Sequence, residues 1–238
     1  MKITTVLFDL DGILLPMDQE EFIKAYFGRL AEHMAPLGYE KEKLLKTIWA
    51  STGRMIQNQT GRSNEEVFWA CMAEVYGPDI RQEEPKFDEF YRVGFPKVQK
   101  SCGYTPMAAQ VIALCKEKGL QIALATNPFF PATATHQRIS WAGMQKEDFA
   151  LVTTYENSCH CKPNPAYYED VVRELGVAPE DCLMVGNDVE EDMIAEKLGM
   201  KVFLLTDCII NKCEKDISGY PHGNFEALSQ YLDRVLTE

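Results

Sequence analysis

Five short apolar runs set the tightest limit on how this chain can fold: Thr4–Asp9, Gln121–Thr126, Ala150–Thr153, Cys182–Gly186 and Lys201–Leu205. A strand with one wet face alternates polar and apolar residues. Runs this continuous belong to strands covered on both faces, as in a parallel sheet. Between and after them lie stretches with helical spacing, namely Met107–Lys118, Thr133–Trp141, Pro165–Leu175, Glu191–Leu198 and Phe225–Val235. Gly119, Gly176 and Gly199 follow KEK, REL and EKL, where helix C-termini are expected. The alternation predicts an α/β fold with a doubly wound parallel sheet.

One segment breaks the rhythm. From about Asp18 to Lys100 there is no convincing strand, but EEFIKAYFGRLAEHM, KEKLLKTIWAST, NEEVFWACMAEVYG and KFDEFYRVGF carry helical periodicity. Phe22, Tyr26, Trp49, Phe68 and Trp69 recur at spacings that read as core-facing stripes. The chain therefore divides into an α/β core, residues 1–17 and 101–238, and an all-helical domain, residues 18–100, inserted after the first strand. That insert is expected over the sheet's edge.

Charge narrows the partners. A formal net charge of −12 gives no basic face for nucleic acid or an anionic membrane. The apolar start of the chain is cut by Asp9 before a secretory core could form, and no stretch nears the ~20 apolar residues of a membrane span. Eight cysteines without a secretory signal read as reduced thiols and predict a cytoplasmic location.

In an open parallel sheet, ligands bind beyond the carboxyl ends of the strands. The first run ends in Asp9-Leu10-Asp11-Gly12, the second in Thr126-Asn127, and the fourth in Gly186-Asn187-Asp188, with Asp192 close behind. The loop Cys159-His160-Cys161-Lys162-Pro163-Asn164-Pro165 follows the third. Together these give four carboxylates, one hydroxyl and one lysine. Clustered carboxylates that stay ionised need a cation, and hard oxygens suit Mg²⁺. A lysine beside them makes sense if an anion such as phosphate also binds. One carboxylate can attack phosphorus while a second, on the same face of an extended Asp-x-Asp, moves the proton. Zinc at the Cys-His-Cys run is disfavoured, because one residue separates the cysteines and no partner pair follows.

Four ordered stretches, FDLDG at 8–12, ALATN at 123–127, CKPNPAYY at 161–168 and VGNDVEED at 185–192, resemble the motifs of haloacid dehalogenase (HAD) superfamily hydrolases. The resemblance implies a Rossmann-like core, a helical cap between the first and second motifs, and phosphatase activity on a small phosphorylated metabolite. It also implies roles. Asp9 would be the nucleophile, forming an aspartyl-phosphate; Asp11 would be the general acid and then the base. Thr126 and the donors around Asn127 would hold phosphoryl oxygens, and Lys162 would neutralise them and orient Asp9. The Asp9 carboxylate, the Asp11 backbone carbonyl and Asp188 would hold Mg²⁺, and Asp192 would support metal-bound waters or Lys162. The fourth motif departs from the family's usual Gly-Asp. Asn187 stands where that Asp often falls and Asp188 comes one place later, so either could take the first position.

In the cap, Arg54, Gln57, Thr60 and Arg62 are candidates for substrate contact, and in the lysine loop so is His160. Glu190 and Glu191 read as solvated acids of a helix's first turn. Asp11 argues against dehalogenation and phosphonate cleavage, whose enzymes lack that second Asp. A sugar-phosphate mutase of the β-phosphoglucomutase type and a non-catalytic phosphate-binding module remain as alternatives.

Overall fold

The computed structural model of the protein describes residues 2–237. Six parallel strands form one sheet: β1 (Thr5–Phe8), β2 (Gln121–Leu124), β3 (Leu151–Val152), β4 (Cys182–Gly186), β5 (Lys201–Leu205) and β6 (His222–Gly223), in the order β3-β2-β1-β4-β5-β6. The helices are α1 (Gln19–Met34), α2 (Lys41–Ile56), α3 (Asn64–Tyr76), α4 (Glu84–Glu89), α5 (Pro106–Glu117), α6 (Ala132–Trp141), α7 (Pro165–Leu175) and α8 (Phe225–Thr237). The chain is thus α/β, as the alternation predicts. β1 is central, with Thr5 in register with both Gln121 and Cys182.

The five apolar runs become β1 to β5 because both faces of the sheet are covered. Val6, Phe8, Leu183 and Val185 share one core cluster with residues of α5 and α8. Leu7, Ala123 and Met184 face the other way and pack with α7. The sixth strand escapes a sequence reading because it has two residues and no apolar run. It pairs with Leu204 and Leu205 through the backbone. The helix expected over Glu191–Leu198 is a 3₁₀ segment, Met193–Leu198. The residues before it form a tight turn, in which the Asp188 carboxylate accepts the amides of Glu190 and Glu191.

The inserted segment is helical, and α4 runs on through a π-turn and a 3₁₀ stretch to Ser101. It lies over the carboxyl ends of the strands rather than simply over an edge. Its aromatic residues join the core of the first sheet face. Tyr26 meets Phe130 at 5.2 Å between ring centroids, and Phe95 stacks on Trp141 at 5.0 Å. Phe22, Tyr26 and Trp69 are buried and Phe68 is half-buried, as helical stripes require. Trp49 is the exception, 53% exposed. Its indole packs against Phe27 at the rim of the cavity described below.

The start of α3 ties the segment to the core. The Asn64 amide donates to the Ser158 carbonyl at 2.8 Å, and the Glu65 amide to that of Tyr155 at 2.8 Å. The fully buried Asn64 side chain donates to Cys161 Sγ at 3.3 Å and accepts from Asn58 at 3.0 Å. Cys161, without a role in the sequence reading, thus has a packing one. All eight cysteines are free thiols. Among the described residues no helix is long and apolar enough to cross a membrane. Removing a partner from a buried hydrogen-bond set leaves the others unsatisfied, so Asn64→Ala should lower stability by about 1–3 kcal/mol. A urea midpoint equal to that of the wild type would contradict this anchoring role.

Candidate active site

Four segments, following β1, β2, β3 and β4, deliver the polar residues to one place beyond the carboxyl ends of the strands. Asp9 leaves β1 with its amide bonded to the Val185 carbonyl at 3.0 Å. Lys162 precedes α7, whose N-cap is Asn164 and whose first residue is Pro165. Its ammonium is 1% exposed and reaches Asp192 Oδ1 at 2.6 Å and Asp9 Oδ1 at 3.2 Å. Burial works against that charge, but Asp192 and Asp9 outweigh it and hold the Lys162 pKa well above 10.5. Burial pushes the Asp9 carboxyl up to about 7 against the pull of Lys162, and Asp192 and Asp11 add to the rise.

Two glycines make room for these contacts. A Cβ on Gly186 would lie 2.2 Å from the Asp192 carboxyl carbon. Gly12 has φ of +80°, and a Cβ there would lie 2.3 Å from Asn187 Nδ2. Asn187 is buried and donates to the Cys208 carbonyl at 2.6 Å, so it holds the neighbouring loop beneath Gly12. Asp188 uses Oδ1 for its two backbone amides, while Asp192 Oδ2 accepts the Asp188 amide at 2.9 Å.

Above these residues lies a cavity of about 250 Å³. Asp9, Asp11, Thr126, Asn127 and Glu191 line its floor. Thr126 is positioned through its carbonyl, which accepts from Thr153 Oγ1 at 2.7 Å and from the Tyr167 hydroxyl at 2.9 Å. Asn127 donates to Glu191 Oε2 at 2.8 Å. A buried ion pair of Arg138 with Asp11 Oδ2 closes one side. Arg138 also stacks over the Phe130 ring, 4.5 Å from its centroid. A floor of ionisable carboxylates backed by one buried lysine can bind and transfer an anionic group.

A family model described as haloacid dehalogenase-like hydrolase matches residues 3–198. The chain belongs to the haloacid dehalogenase-like hydrolases. Pyrophosphatase PpaX of Bacillus cereus (strain AH820) is 25% identical over 201 residues, covering 84% of this chain and 82% of that protein. D-ribitol-5-phosphate phosphatase of Bacteroides thetaiotaomicron is 21% identical over 206 residues, covering 84% and 91%. In fold, the chain is similar to a 2-haloacid dehalogenase from Pseudomonas syringae pv. tomato DC3000, with a TM-score of 0.63 and 18% identity over 98% of this chain and 99% of that one. This HAD-like chain is a hydrolase.

Phosphatases of this family generally use a divalent metal, and the donor set of this HAD-like hydrolase suits a hard cation. The Asp9 and Asp188 carboxylates offer hard oxygens, burial raises both above the ordinary carboxylate range, and positive charge would stabilise their ionised forms. Among the described residues no three His, Cys, Asp or Glu side chains form a closed metal cage. A cation that keeps several waters and borrows substrate oxygens needs no such cage.

Four residues of the insert that sequence singled out do not reach the cavity. On α2, Thr52 and Ile56 line it. Arg54, two residues from each, is turned to another face by the helical period and pairs with Glu74 at 3.3 Å. Gln57 lies past the end of the helix, at its C-cap. The Thr60 hydroxyl donates to Asn58 at 2.8 Å, and Asn58 in turn holds the Arg62 carbonyl at 2.9 Å. These bonds shape a loop at the surface. His160 pairs with Asp170 at 2.6 Å and lines a separate cavity with Cys159 and Tyr167.

Two residues of the site escaped the sequence reading. Arg138 lies inside α6, and only its burial and its reach to Asp11 distinguish it from a surface arginine. Glu190 pairs with Lys215 at 3.0 Å, but Glu191 faces the cavity and is not a solvated acid. Burial pushes the Glu191 carboxyl up to about 7. That lies above its ordinary value of 4.5, so the folded protein holds a proton there which the unfolded chain releases. The associated stability is complete below about pH 4.5 and is lost as pH rises to about 7. Glu191→Gln keeps an acceptor for Asn127. In metal-free buffer it should match the wild type near pH 4.5 and exceed it above pH 7 by on the order of 2 kcal/mol. Equal melting-temperature differences at the two pH values would count against a buried, raised Glu191.

Proposed function

We propose that this chain is a Mg²⁺-dependent phosphatase that hydrolyses a small phosphomonoester through an aspartyl-phosphate on Asp9. Residues 18–100 act as a cap over a core of residues 1–17 and 101–238, excluding water from the cavity. The observation that carries this reading is the meeting of Asp9 and Asp11 on one cavity floor, with buried Lys162 paired to Asp9. The phosphatase names of the relatives support the same chemistry.

Asp9 attacks phosphorus in line as the bond to the leaving oxygen breaks. Asp11 gives its proton to that oxygen, so the alcohol departs neutral. Asp11 then takes a proton from water, the water attacks phosphorus, and cleavage of the Asp9 acyl phosphate releases inorganic phosphate and restores the carboxylate. Thr126 and donors around Asn127 hold phosphoryl oxygens, while Lys162, oriented by Asp192, keeps Asp9 aimed. Arg138 holds Asp11 by one oxygen and leaves the other to carry the proton. The Asp9 carboxylate, the Asp11 carbonyl and Asp188 would hold Mg²⁺, which supplies positive charge for the phosphoryl oxygens. Positioning and charge stabilisation do most of the work in such a transfer.

With Mg²⁺ and p-nitrophenyl phosphate, Asp9→Asn should lower kcat by about 10³-fold or more. Chelation should abolish wild-type turnover, and Mg²⁺ should raise the melting temperature of the wild type more than that of Asp9→Asn. Absence of turnover across a broad panel of phosphate esters would sink the proposal. Isomerisation of a sugar phosphate that depends on a bisphosphate activator would point to a mutase instead.

A further inference from the structure

Away from its floor, the cavity wall is aromatic. Phe22, Tyr26 and Trp49 come from the inserted helices, Phe129 and Phe130 from the loop after β2, and Tyr155 from the loop after β3. The charged lining has a single sign: Asp9, Asp11, Glu84, Asp88 and Glu191 face the cavity, and no Lys, Arg or His among the described residues does. The three nearby cations are already paired with carboxylates, Lys162 with Asp9 and Asp192, Arg138 with Asp11, and Arg81 with Glu84 and Glu65.

This lining discriminates between leaving groups. A carboxylate or second phosphate on the substrate would meet carboxylates in a partly dry site whose lining offers no cation of its own, which is repulsive at short range. A polyol would lose its water against a wall that is mostly aromatic and aliphatic. Beyond the floor the polar groups of the wall are Gln19, Thr52, the aromatic hydroxyls, the indole N–H groups of Trp49 and Trp69 and the carboxylates of Glu84 and Asp88; the Tyr26 hydroxyl is already bonded to that of Tyr91 at 3.0 Å, and Glu84 is paired with Arg81 at 3.0 Å. Each hydroxyl buried without a hydrogen bond costs free energy. An aromatic or aliphatic group meets the wall without such a penalty and gains from leaving water. A volume of about 250 Å³ suits one small group of this kind.

We propose that the alcohol portion of the substrate is aromatic or otherwise apolar and carries no second anionic group. The inference rests on the phosphatase reading and names the substrate class for the same site. It separates this chain from its relatives named for pyrophosphate and ribitol phosphate.

Three primary-alcohol esters, 3-phenylpropyl phosphate, glycerol 3-phosphate and 3-phosphoglycerate, provide the test, since they release similar alkoxides and differ in the remote group. With the full chain and Mg²⁺, kcat/KM should be highest for the phenylpropyl ester, by on the order of tenfold to a hundredfold over the other two. Trp49→Ala should cut that value more than it cuts the value for glycerol 3-phosphate. Equal or better turnover of either polar ester would overturn the inference. If no ester is hydrolysed, the phosphatase reading fails, and calorimetry with stable phosphonates still decides the present point. Tighter binding of 4-phenylbutylphosphonate than of 3,4-dihydroxybutylphosphonate supports an apolar site; equal or weaker binding refutes it.

Discussion

The buried ammonium of Lys162 is the interaction on which the rest of the site depends. Taking such a charge out of water costs several kcal/mol, and only close, well-directed carboxylates offset that cost. Asp192 at 2.6 Å and Asp9 at 3.2 Å do so. Those three residues lie on the end of β1, on the loop entering α7 and on the turn after β4. Satisfying one charge therefore fixes the relative positions of three strand-end segments. Gly186 has no side chain because the Asp192 carboxyl occupies that space. Without the lysine, two buried carboxylates would face each other unpaired.

That arrangement leaves the site with more negative than positive charge. Arg138 answers Asp11, and Lys162 is shared by two carboxylates, yet Glu191 and Asp188 lie nearby without a cation of their own in the site. Burial is the main cause of the upward shifts of Asp9 and Glu191, and the neighbouring carboxylates add to them. An oxygen-seeking metal and a phosphoryl group, arriving together, would resolve the imbalance, because each supplies what the other lacks. In the proposed function, the aromatic wall above would strengthen these interactions by keeping water out, and it would also restrict what the phosphoryl group can be attached to.

Much of this was legible in the chain. The five apolar runs could only be strands of a sheet covered on both faces, and they are. The strand-end residues Asp9, Asp11, Thr126, Asn127 and Lys162 could be picked out because each stands in a short local pattern that constrains backbone and chemistry together. The insert was different. Arg54, Thr60 and Arg62 looked suitable by residue type alone, but helix phase and loop bonding turned them elsewhere. Trp49 fitted an apolar stripe by spacing, yet its position on α2 put it at a rim. Arg138 and Glu191 carried no local signal, since a helical arginine and an acid in a turn are ordinary until burial and neighbours are known.

The sequence by itself determined the strand–helix alternation, the place of the helical insertion and the identity of the carboxylates and lysine beyond the strand ends. These follow from local periodicity and from the rule that a parallel sheet binds at its carboxyl edge. Only the tertiary structure decided which residues of the insert face the cavity, that Arg138 grips Asp11, and that the wall carries aromatic rings and carboxylates but no free cation. Those outcomes depend on helix rotation and on packing between segments distant in sequence, such as Tyr26 against Phe130, which no local pattern encodes.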